Sequence, residues 1–462
     1  MNEGTLTQRL LFPNISDIFK KPLVIEFDQP QMSSDGGGIL LKAADERLEL
    51  THRLAGCIRD EREQGKIKHE MVELLRQRVY GIACGYEDCN DAARLANDPM
   101  HKLMVGRDPE KGEGLGSQPT LSRFENTPNR KELYGMGEEL LETVIERHRK
   151  RLRRKAKKIR IDMDPTDDAT HGFQQLSFFN GHYDTSCYLP MLAFISFNKE
   201  KEQYLVAAVL RPGNAPAKKG AIGVLRRIIN RLREAFPKAR LEVRLDGGFA
   251  GPAMFEYLDT EARLEYEVGM AGNPVLARKA EKLMEQARKL SRKSGQTEHV
   301  YGECQYAAKT WSYQRRVIIK AEVVRNLDRA PKENPRFVVT NKRQSPRFVY
   351  EKEYCGRGEV ENRIKELKDG LQIDRTSCTN FWANQFRVLL SAAAYVLMQE
   401  IRLQARNTDC ARAQVTTLRD RLIKVGARVV SSVRRIVIHL PESYPYSSTW
   451  HRVAAALGAR PG

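Results

Sequence analysis

The sequence predicts an α/β fold, and three observations lead to that prediction. Residues from about 39 to 150 carry apolar side chains at steps of three and four, the pattern of amphipathic helices. Residues 151–250 then give the order strand, strand, strand, helix, strand. A largely apolar helix is predicted at 381–406. Together these patterns indicate a mixed-sheet core between a mostly helical N-terminal domain and a helical C-terminal region.

The composition is that of a soluble globular protein that binds a polyanion. The chain has 462 residues, of which 41% are hydrophobic and 30% charged, enough for two to four domains. Its net charge of +19 favours nucleic acid as the partner, with an anionic membrane as the competitor. The longest apolar run, at 388–398, is too short to span a bilayer, and the N-terminus does not resemble a signal peptide. None of the eight cysteines forms a C-x-x-C pair, so we expect a cytoplasmic protein with reduced thiols.

The helical N-terminal region contains one short segment that resembles a DNA-reading helix. In SQPTLSRFEN (117–126), Ser117 is placed to cap a helix with proline in its first turn. That helix would expose Thr120, Ser122 and Arg123, as the second helix of a helix-turn-helix does. An ordinary capped helix explains the same pattern, so both interpretations stay open.

Carboxylates occur at the ends of the first and last predicted strands of the core. IRIDMDPTDD (159–168) alternates apolar and polar residues, which puts Asp162 and Asp164 on one face near the end of the strand. A second predicted strand ends at Asp246, before a Gly-Gly turn. An aspartate at a strand end is often only a turn residue. The pattern alone also leaves open whether Asp162 or Asp164 is the functional residue.

The segment YCGRGEVENRIKELKDG (354–370) predicts a helix with a charged border. Tyr354, Arg357, Glu361 and Lys368 follow one another at steps of three, four and seven. On an α-helix these steps confine the four side chains to an arc of about 60°, beside the apolar face. This arrangement would suit the edge of an active-site cleft. An amphipathic helix with surface salt bridges is the competing interpretation.

Asp164, Asp246 and Glu361 together form a candidate metal site. Two strand ends and one helix supply these three carboxylates. Mg²⁺ and Mn²⁺ prefer oxygen ligands, and two such ions a few ångströms apart serve phosphodiester cleavage. The sequence therefore predicts a site that holds Mg²⁺ or Mn²⁺, two ions in each active site.

Three motifs resemble those of the DDE transposases of bacterial insertion sequences. DPT (164–166) resembles the first-aspartate motif of that family, and RLDGGFA (244–250) resembles the second. YCGRGEVENRIKELK (354–368) matches the signature Y-(2)-R-(3)-E-(6)-K position for position. GYEDCNDAARLANDP (85–99) and QPTLSRFEN are similar to the N-terminal region of one branch of these enzymes.

The resemblance implies a ribonuclease-H-like catalytic fold in which Asp164, Asp246 and Glu361 are the catalytic residues and metal ligands. It favours Asp164 over Asp162, because the D-x-T match falls on Asp164. The resemblance also implies a β-rich insertion between the second and third carboxylates. The predicted regions are a mostly helical DNA-end-binding domain (1–150), a first segment of the catalytic core (151–250), the β-rich insertion domain (251–350), a second segment of the catalytic core (351–405) and a C-terminal region that could serve dimerisation (406–462).

The same resemblance implies contacts to double-stranded DNA. Tyr354, Arg357 and Lys368 are expected to hold phosphates of the transposon end. Trp311, in the predicted insertion, is a candidate for stacking on a flipped base, although a core position in a small sheet explains it as well.

The implied activity is that of a cut-and-paste transposase in the bacterial cytoplasm, associated with the nucleoid. Such an enzyme binds the ends of an insertion sequence as a homodimer, hydrolyses them, and joins the freed 3′-hydroxyl to target DNA. Two alternatives remain. One is a ribonuclease-H-like nuclease that cuts without strand transfer, and the other is a non-catalytic DNA-binding protein descended from a transposase.

Overall fold

The computed structural model describes residues 10–11, 23–153, 155–326 and 329–460. Its strands are β1 Leu10–Leu11, β2 Val24–Ile25, β3 Met32–Ser33, β4 Lys158–Pro165, β5 Asp168–Ala169, β6 Phe178–Asn180, β7 Thr185–Tyr188, β8 Met191–Phe197, β9 Tyr204–Val209, β10 Arg240–Leu245, β11 Leu264–Met270, β12 Glu298–Tyr306, β13 Arg315–Val324, β14 Lys332–Glu333, β15 Arg336–Thr340, β16 Ala427–Ser431 and β17 Ile436–His439. Its α-helices are α1 Ile39–Leu48, α2 Leu50–Gly56, α3 Met71–Cys84, α4 Cys89–Arg94, α5 Pro99–Val105, α6 Gln118–Glu125, α7 Arg130–Arg151, α8 Ala221–Ala235, α9 Pro252–Thr260, α10 Pro274–Ser294, α11 Pro346–Phe348, α12 Gly358–Leu371, α13 Phe381–Gln404, α14 Val415–Leu418 and α15 Ser447–Leu457. The fold is therefore a mixed α/β fold.

A mixed sheet with the order β12-β13-β15-β11-β10-β4-β8-β9 forms the centre of the molecule. Strand β10 runs parallel to both β4 and β11, and the other pairs along this order are antiparallel. The predicted order of strands, with a helix before the fourth, is confirmed for the central sheet, in which β4, β8 and β9 precede α8 and β10. The short strands β5, β6 and β7, which lie between β4 and β8, were not predicted. Parallel pairing brings the C-terminal ends of β4 and β10 to the same edge of the sheet.

Residues 251–350 contribute to this same sheet. Strand β11 pairs with β10, and β15, β13 and β12 continue the sheet beyond it. Helix α10 covers β12 and β13 with a face of small and apolar residues at helical spacing, Leu276, Ala280, Met284, Ala287 and Ser291. Strand β12 was not predicted, because its residues alternate between half-buried and exposed without an apolar run.

Helix α13 is the core element that joins the helical and sheet parts. It packs on α3 and α7 on one side and on the edge strand β9 on the other. Two glutamines of α13 satisfy backbone groups along this edge of the sheet. Gln385 Oε1 accepts from the backbone N–H of Leu210 at 2.7 Å, and Gln399 Nε2 donates to the carbonyl of Gln203 at 2.7 Å. No helix in the described parts of the chain is both long and apolar enough to cross a membrane.

The C-terminal region packs against the N-terminal region. Strand β16 pairs with β3 as well as with β17. The glycine run at 36–38, predicted only as a turn, permits this contact. A Cβ at Gly37 would overlap the carbonyl oxygen of Leu422, and one at Gly36 would overlap the side chain of Ala427. Glycine is therefore required sterically where the two chain segments meet.

Candidate active site

The two aspartates predicted as ligands lie side by side at one edge of the central sheet. The register of β4 and β10 pairs Met163 with Leu245, so Asp164 and Asp246 are the next residues of two adjacent parallel strands. The Asp246 carboxylate also accepts a hydrogen bond from the backbone N–H of Gly248 at 2.9 Å. This bond fixes the Asp246 side chain at the start of the tight turn that follows β10.

Arg357 connects Glu361 to the first aspartate. Its Nη1 donates to Asp164 Oδ2 at 2.8 Å, and its Nη2 donates to Glu361 Oε1 at 3.3 Å. The Asp164 side chain is 11% exposed, whereas that of Glu361 is 64% exposed. Asp164 therefore lies on the buried side of the site and Glu361 on its solvent-exposed side. The Arg357 guanidinium lies between the two carboxylates.

The surroundings of Asp164 make its charged form costly. Burial raises the pKa of its carboxyl, Arg357 lowers it, and the nearby charges of Asp246 and Glu361 raise it, so that the pKa lies at about 7. A carboxylate in such surroundings gains most from a cation that all three acids share. The three predicted ligands therefore form one electrostatic unit.

Asp162, the alternative first ligand, faces a different partner. Its two carboxylate oxygens accept from Arg244 Nε at 2.6 Å and Nη2 at 2.8 Å. Gln203 Nε2 donates to it at 2.8 Å, and the Asp162 side chain is fully buried. Because its oxygens are held in this buried fork, the geometry favours Asp164 as the residue that opens onto the site.

Lys368 and Tyr354, predicted to hold phosphates, both lie near the site. Lys368 Nζ contacts Asp167 Oδ1 at 2.9 Å and Asp374 Oδ2 at 3.8 Å. The hydroxyl of Tyr354 lies so close to Gly269 that a Cβ there would overlap it. Burial raises the pKa of the Tyr354 phenol, so it stays protonated and can donate a hydrogen bond.

The prediction of one continuous α-helix through residues 354–371 is wrong. A π-helical turn ends at Tyr354, a 3₁₀ turn ends at Arg357, and α12 begins only after it. Two glycines weaken the helix in this stretch. In addition, Arg244 Nη1 donates to the backbone carbonyl of Glu353 at 2.7 Å, which holds the lead-in against the sheet.

Sequence reasoning missed the buried charge network that supports the site. Glu353 pairs with Lys158 and with Arg160 beneath the segment that carries Tyr354. The detectable signal was the alternation of charges on one face of β4, where Lys158, Arg160 and Asp162 follow one another. A strand in the middle of a sheet that carries charges on one face must pair them.

The predicted DNA-reading helix is present as α6. Thr120 and Ser122 are half-buried and Arg123 is exposed. Ser117 occupies the N-cap position, but its hydroxyl contacts the Thr120 hydroxyl at 3.1 Å and makes no capping bond to the backbone. Arg123 also reaches Thr120, at 3.5 Å.

Trp311 lies in an aromatic cluster. Its ring meets Phe255 edge-on at 4.8 Å and Tyr306 at 5.4 Å, measured between ring centroids. The Arg315 guanidinium lies 5.1 Å from its centroid. In this arrangement the indole is half-buried by the protein itself, as expected for a core position.

The donor set of the predicted triad suits a divalent cation. All three groups are carboxylates, and the position between Asp164 and Glu361 already holds the cationic Arg357. Within the described residues, two groups bring three ligand atoms within 4.8 Å of one another, and the predicted triad is not one of them: they are Asp35, Cys84 and His101, and Glu242, Glu267 and Glu353. Lysines neutralise both groups, Lys424 at Asp35 and Lys342 at the glutamates. The triad is more open than either group, and in the described structure its paired cation is Arg357, which contacts Asp164 and Glu361.

Comparison with known proteins places the chain in a family. None of the curated proteins matches it significantly. A family model described as "Transposase DDE domain group 1" matches residues 15–461, which is nearly the whole chain. The match includes both strand-end aspartates and the helix that carries Glu361. The chain therefore belongs to the DDE transposase family.

Proposed function

We propose that the protein binds the ends of an insertion sequence, cleaves them by metal-dependent hydrolysis, and joins the freed 3′-hydroxyl to target DNA. Membership of the DDE transposases implies a DNA substrate, and such enzymes generally use a divalent metal. The observation that carries the proposal is that Asp164 and Asp246 lie at the ends of two adjacent parallel strands. Arg357 then links Asp164 to Glu361. The order β9-β8-β4-β10-β11 supports a ribonuclease-H-like core.

The three carboxylates are the proposed metal ligands. When bound, Mg²⁺ or Mn²⁺ would stabilise negative charge on the phosphate and make an attacking oxygen more nucleophilic. Asp164 and Asp246 provide fixed oxygens, because β4, β10 and the Gly248 hydrogen bond hold them in place. Glu361 is more exposed and completes the set from the open side of the site.

The cationic residues of the signature have a proposed role toward DNA. Arg357 links Asp164 to Glu361 without DNA, and its guanidinium is free to exchange a carboxylate for a phosphate oxygen of similar geometry. Lys368 would hold a second phosphate. Without DNA, its ammonium group donates instead to the Asp167 carboxylate. Tyr354 would donate a hydrogen bond from its phenol hydroxyl to the same DNA strand.

The remaining assignments concern recognition and assembly. We propose that residues 1–150 bind the transposon end and that Arg123, Thr120 and Ser122 on α6 contact it. The net charge of +19 supports binding to the DNA backbone. A homodimer would pair the two ends, and we propose that the C-terminal region 406–462 contributes to it.

Strand transfer separates a transposase from a ribonuclease-H-like nuclease that only cuts. The test supplies DNA ends that are already cut, with either a 3′-hydroxyl or a 3′-deoxy terminus, together with a target plasmid and Mg²⁺. The proposal predicts joining only from the 3′-hydroxyl ends, and none with Asp246→Asn. Cleavage of uncut DNA without any joining would instead support the nuclease.

The remaining alternative is a non-catalytic protein that binds DNA but does not cut it. A gel shift on the same DNA measures whether Asp246→Asn still binds the ends. We expect normal binding, because the amide keeps the shape of the side chain and removes only the charge that holds the cation. If wild-type protein binds the ends but neither cuts nor joins them in Mg²⁺ or Mn²⁺, the protein is a DNA-binding descendant.

A further inference from the structure

A small hairpin beside the candidate active site exposes aromatic rings. Strands β6 and β7 pair in register from Phe178 with Cys187 to Asn180 with Thr185, and β5 pairs with the other side of β7. Phe179 is 64% exposed and Phe178 41% exposed, and Phe173 in the preceding loop is fully exposed. Phe178 and Phe179 are consecutive strand residues, so they face opposite sides of the hairpin, and Phe179 is the more exposed of the two. Exposed apolar patches usually mark a binding surface.

Strand pairing places this hairpin beside the candidate active site. Strand β5 begins at Asp168, shortly after Asp164, and pairs with β7. Lys368, at the border of the site, contacts Asp167 at 2.9 Å, directly before β5. The exposed rings therefore belong to a hairpin that is joined to the end of β4, with the half-buried Tyr183 in the turn between β6 and β7.

The hairpin is firmly attached, so its rings are not exposed through disorder. The backbone N–H of Gln175 donates to the carbonyl of Thr379 at 3.0 Å, and Gln174 Nε2 donates to the carbonyl of Thr376 at 2.9 Å. On the other side, Asn180 Nδ2 donates to the carbonyl of Gly213 at 2.8 Å. These bonds anchor it to the loop after α12 and to the loop after β9.

The chemistry of the segment indicates bases rather than phosphates. Residues 171–188 contain five aromatic residues of the Phe and Tyr types and no lysine or arginine, in a chain with a net charge of +19. Phosphate contacts need cations or N–H donors, whereas every base presents a π-face to an aromatic ring. Trp311, the other candidate for stacking, already packs against Phe255 and Tyr306.

We propose that the rings of Phe173 and Phe179 form a stacking platform for unpaired bases of the DNA strand at the active site. This proposal rests on the proposed function, because it takes the DNA end as the occupant. The platform would hold the strand that has lost its pairing next to the cut and keep its phosphate near Asp164 and Asp246.

The test compares wild type with the double variant Phe173→Ala/Phe179→Ala on two probes. One probe is a short duplex, and the other is the same duplex with a single-stranded tail that carries 2-aminopurine. Loss of stacking should weaken binding of the tailed duplex about 5- to 100-fold. Binding of the paired duplex should stay unchanged, and the fluorescence quenching of 2-aminopurine should disappear.

Three further proteins make the result specific. Phe27→Ala removes another strongly exposed ring, 89% exposed and outside the hairpin, and should behave as wild type. The single variant Phe179→Trp keeps Phe173 and an aromatic ring at position 179, so it should quench 2-aminopurine as wild type does. Trp311→Ala should leave quenching intact, unlike the hairpin variant.

The outcome separates this proposal from the proposed function. Asp246→Asn should retain tailed-duplex binding and quenching even though it cannot cut. Wild-type affinity and quenching in the double variant would overturn the platform while leaving the transposase intact. A changed oligomeric state in the double variant, with unchanged binding of both probes, would also overturn it and identify the hairpin as a protein interface. The melting temperature of the double variant is compared with that of wild type. Equal values show that removing the two exposed rings leaves the fold intact.

Discussion

Replacing Asp164 by asparagine should stabilise the metal-free protein, although it should destroy the proposed activity. The Asp164 carboxyl is buried next to Asp246 and Glu361, and its pKa is raised from the usual 3.8 to about 7. At pH values between 3.8 and about 7, the Asp164 carboxyl is therefore protonated in the folded state and ionised in the unfolded state. Across that window the wild-type protein loses stability as the pH rises, whereas the asparagine variant does not titrate there.

The size of the effect follows from the shift. Each pKa unit corresponds to about 1.4 kcal/mol, so a shift from 3.8 to about 7 costs the wild type about 4 kcal/mol at pH 8. Relaxation around the buried group reduces such penalties, and we expect a gain of about 2 to 4 kcal/mol for Asp164→Asn. The hydrogen bond from Arg357 persists, because the amide oxygen still accepts it.

Denaturant unfolding in EDTA at pH 5 and pH 8 measures this gain. We expect it to be larger at pH 8 than at pH 5, and Mn²⁺ should stabilise wild type but not Asp164→Asn. Asp369→Asn, which removes an exposed carboxylate from α12, is the control and should change little. A gain that is absent at pH 8, or equal at both pH values, would refute the reasoning that burial and neighbouring acids strain this carboxyl.

Other variants probe the remaining contacts of the site and the fold. Arg244→Met leaves the buried charge of Asp162 unpaired, so we expect a loss of about 3 to 5 kcal/mol in unfolding free energy, which is partly recovered in the double variant with Asp162→Asn. Gly37→Ala forces the C-terminal chain away from the glycine run and should cost about 3 kcal/mol or more, seen as a lower melting temperature. Lys368→Ala should lower the salt slope of DNA binding by about one unit for any sequence. By contrast, Arg123→Ala should reduce discrimination between transposon ends and random DNA by about 1 to 3 kcal/mol, and equal losses on both DNAs would contradict a base-reading role for α6.

Periodicity was sufficient to predict the elements that frame the site. The alternation in β4 put Asp164 at a strand end, and the apolar spacing of α8 and α13 matches their buried faces. These predictions succeeded because each element buries one face, or nearly all of itself, in the core. The signature spacing likewise predicted that Arg357 and Glu361 would lie on one arc, and their side chains are in contact at 3.3 Å.

Long-range pairing was not readable from local pattern. Nothing near Asp162 indicates that Arg244, far along the chain, holds it in a buried fork. The π-helical turn that ends at Tyr354 could not be predicted from the sequence either, since it depends on the contact between Arg244 and the Glu353 carbonyl. Strand β12 lacked an apolar run because α10 and β13 cover it only in part. Such features arise from tertiary contacts, so residue spacing alone does not specify them.

The most direct test of the central claim is strand cleavage by two glutamine variants of α12. Glu361 and Glu359 are both exposed and lie two positions apart, but only Glu361 contacts Arg357 at the predicted metal site. Wild type, Glu361→Gln and Glu359→Gln are incubated with Mg²⁺ and a plasmid that carries the ends of the element, and binding of the ends is measured in parallel. We expect Glu361→Gln to bind the ends without cutting them, whereas Glu359→Gln should both bind and cut them. Full cleavage by Glu361→Gln would contradict the claim that Asp164, Asp246 and Glu361 form one catalytic site.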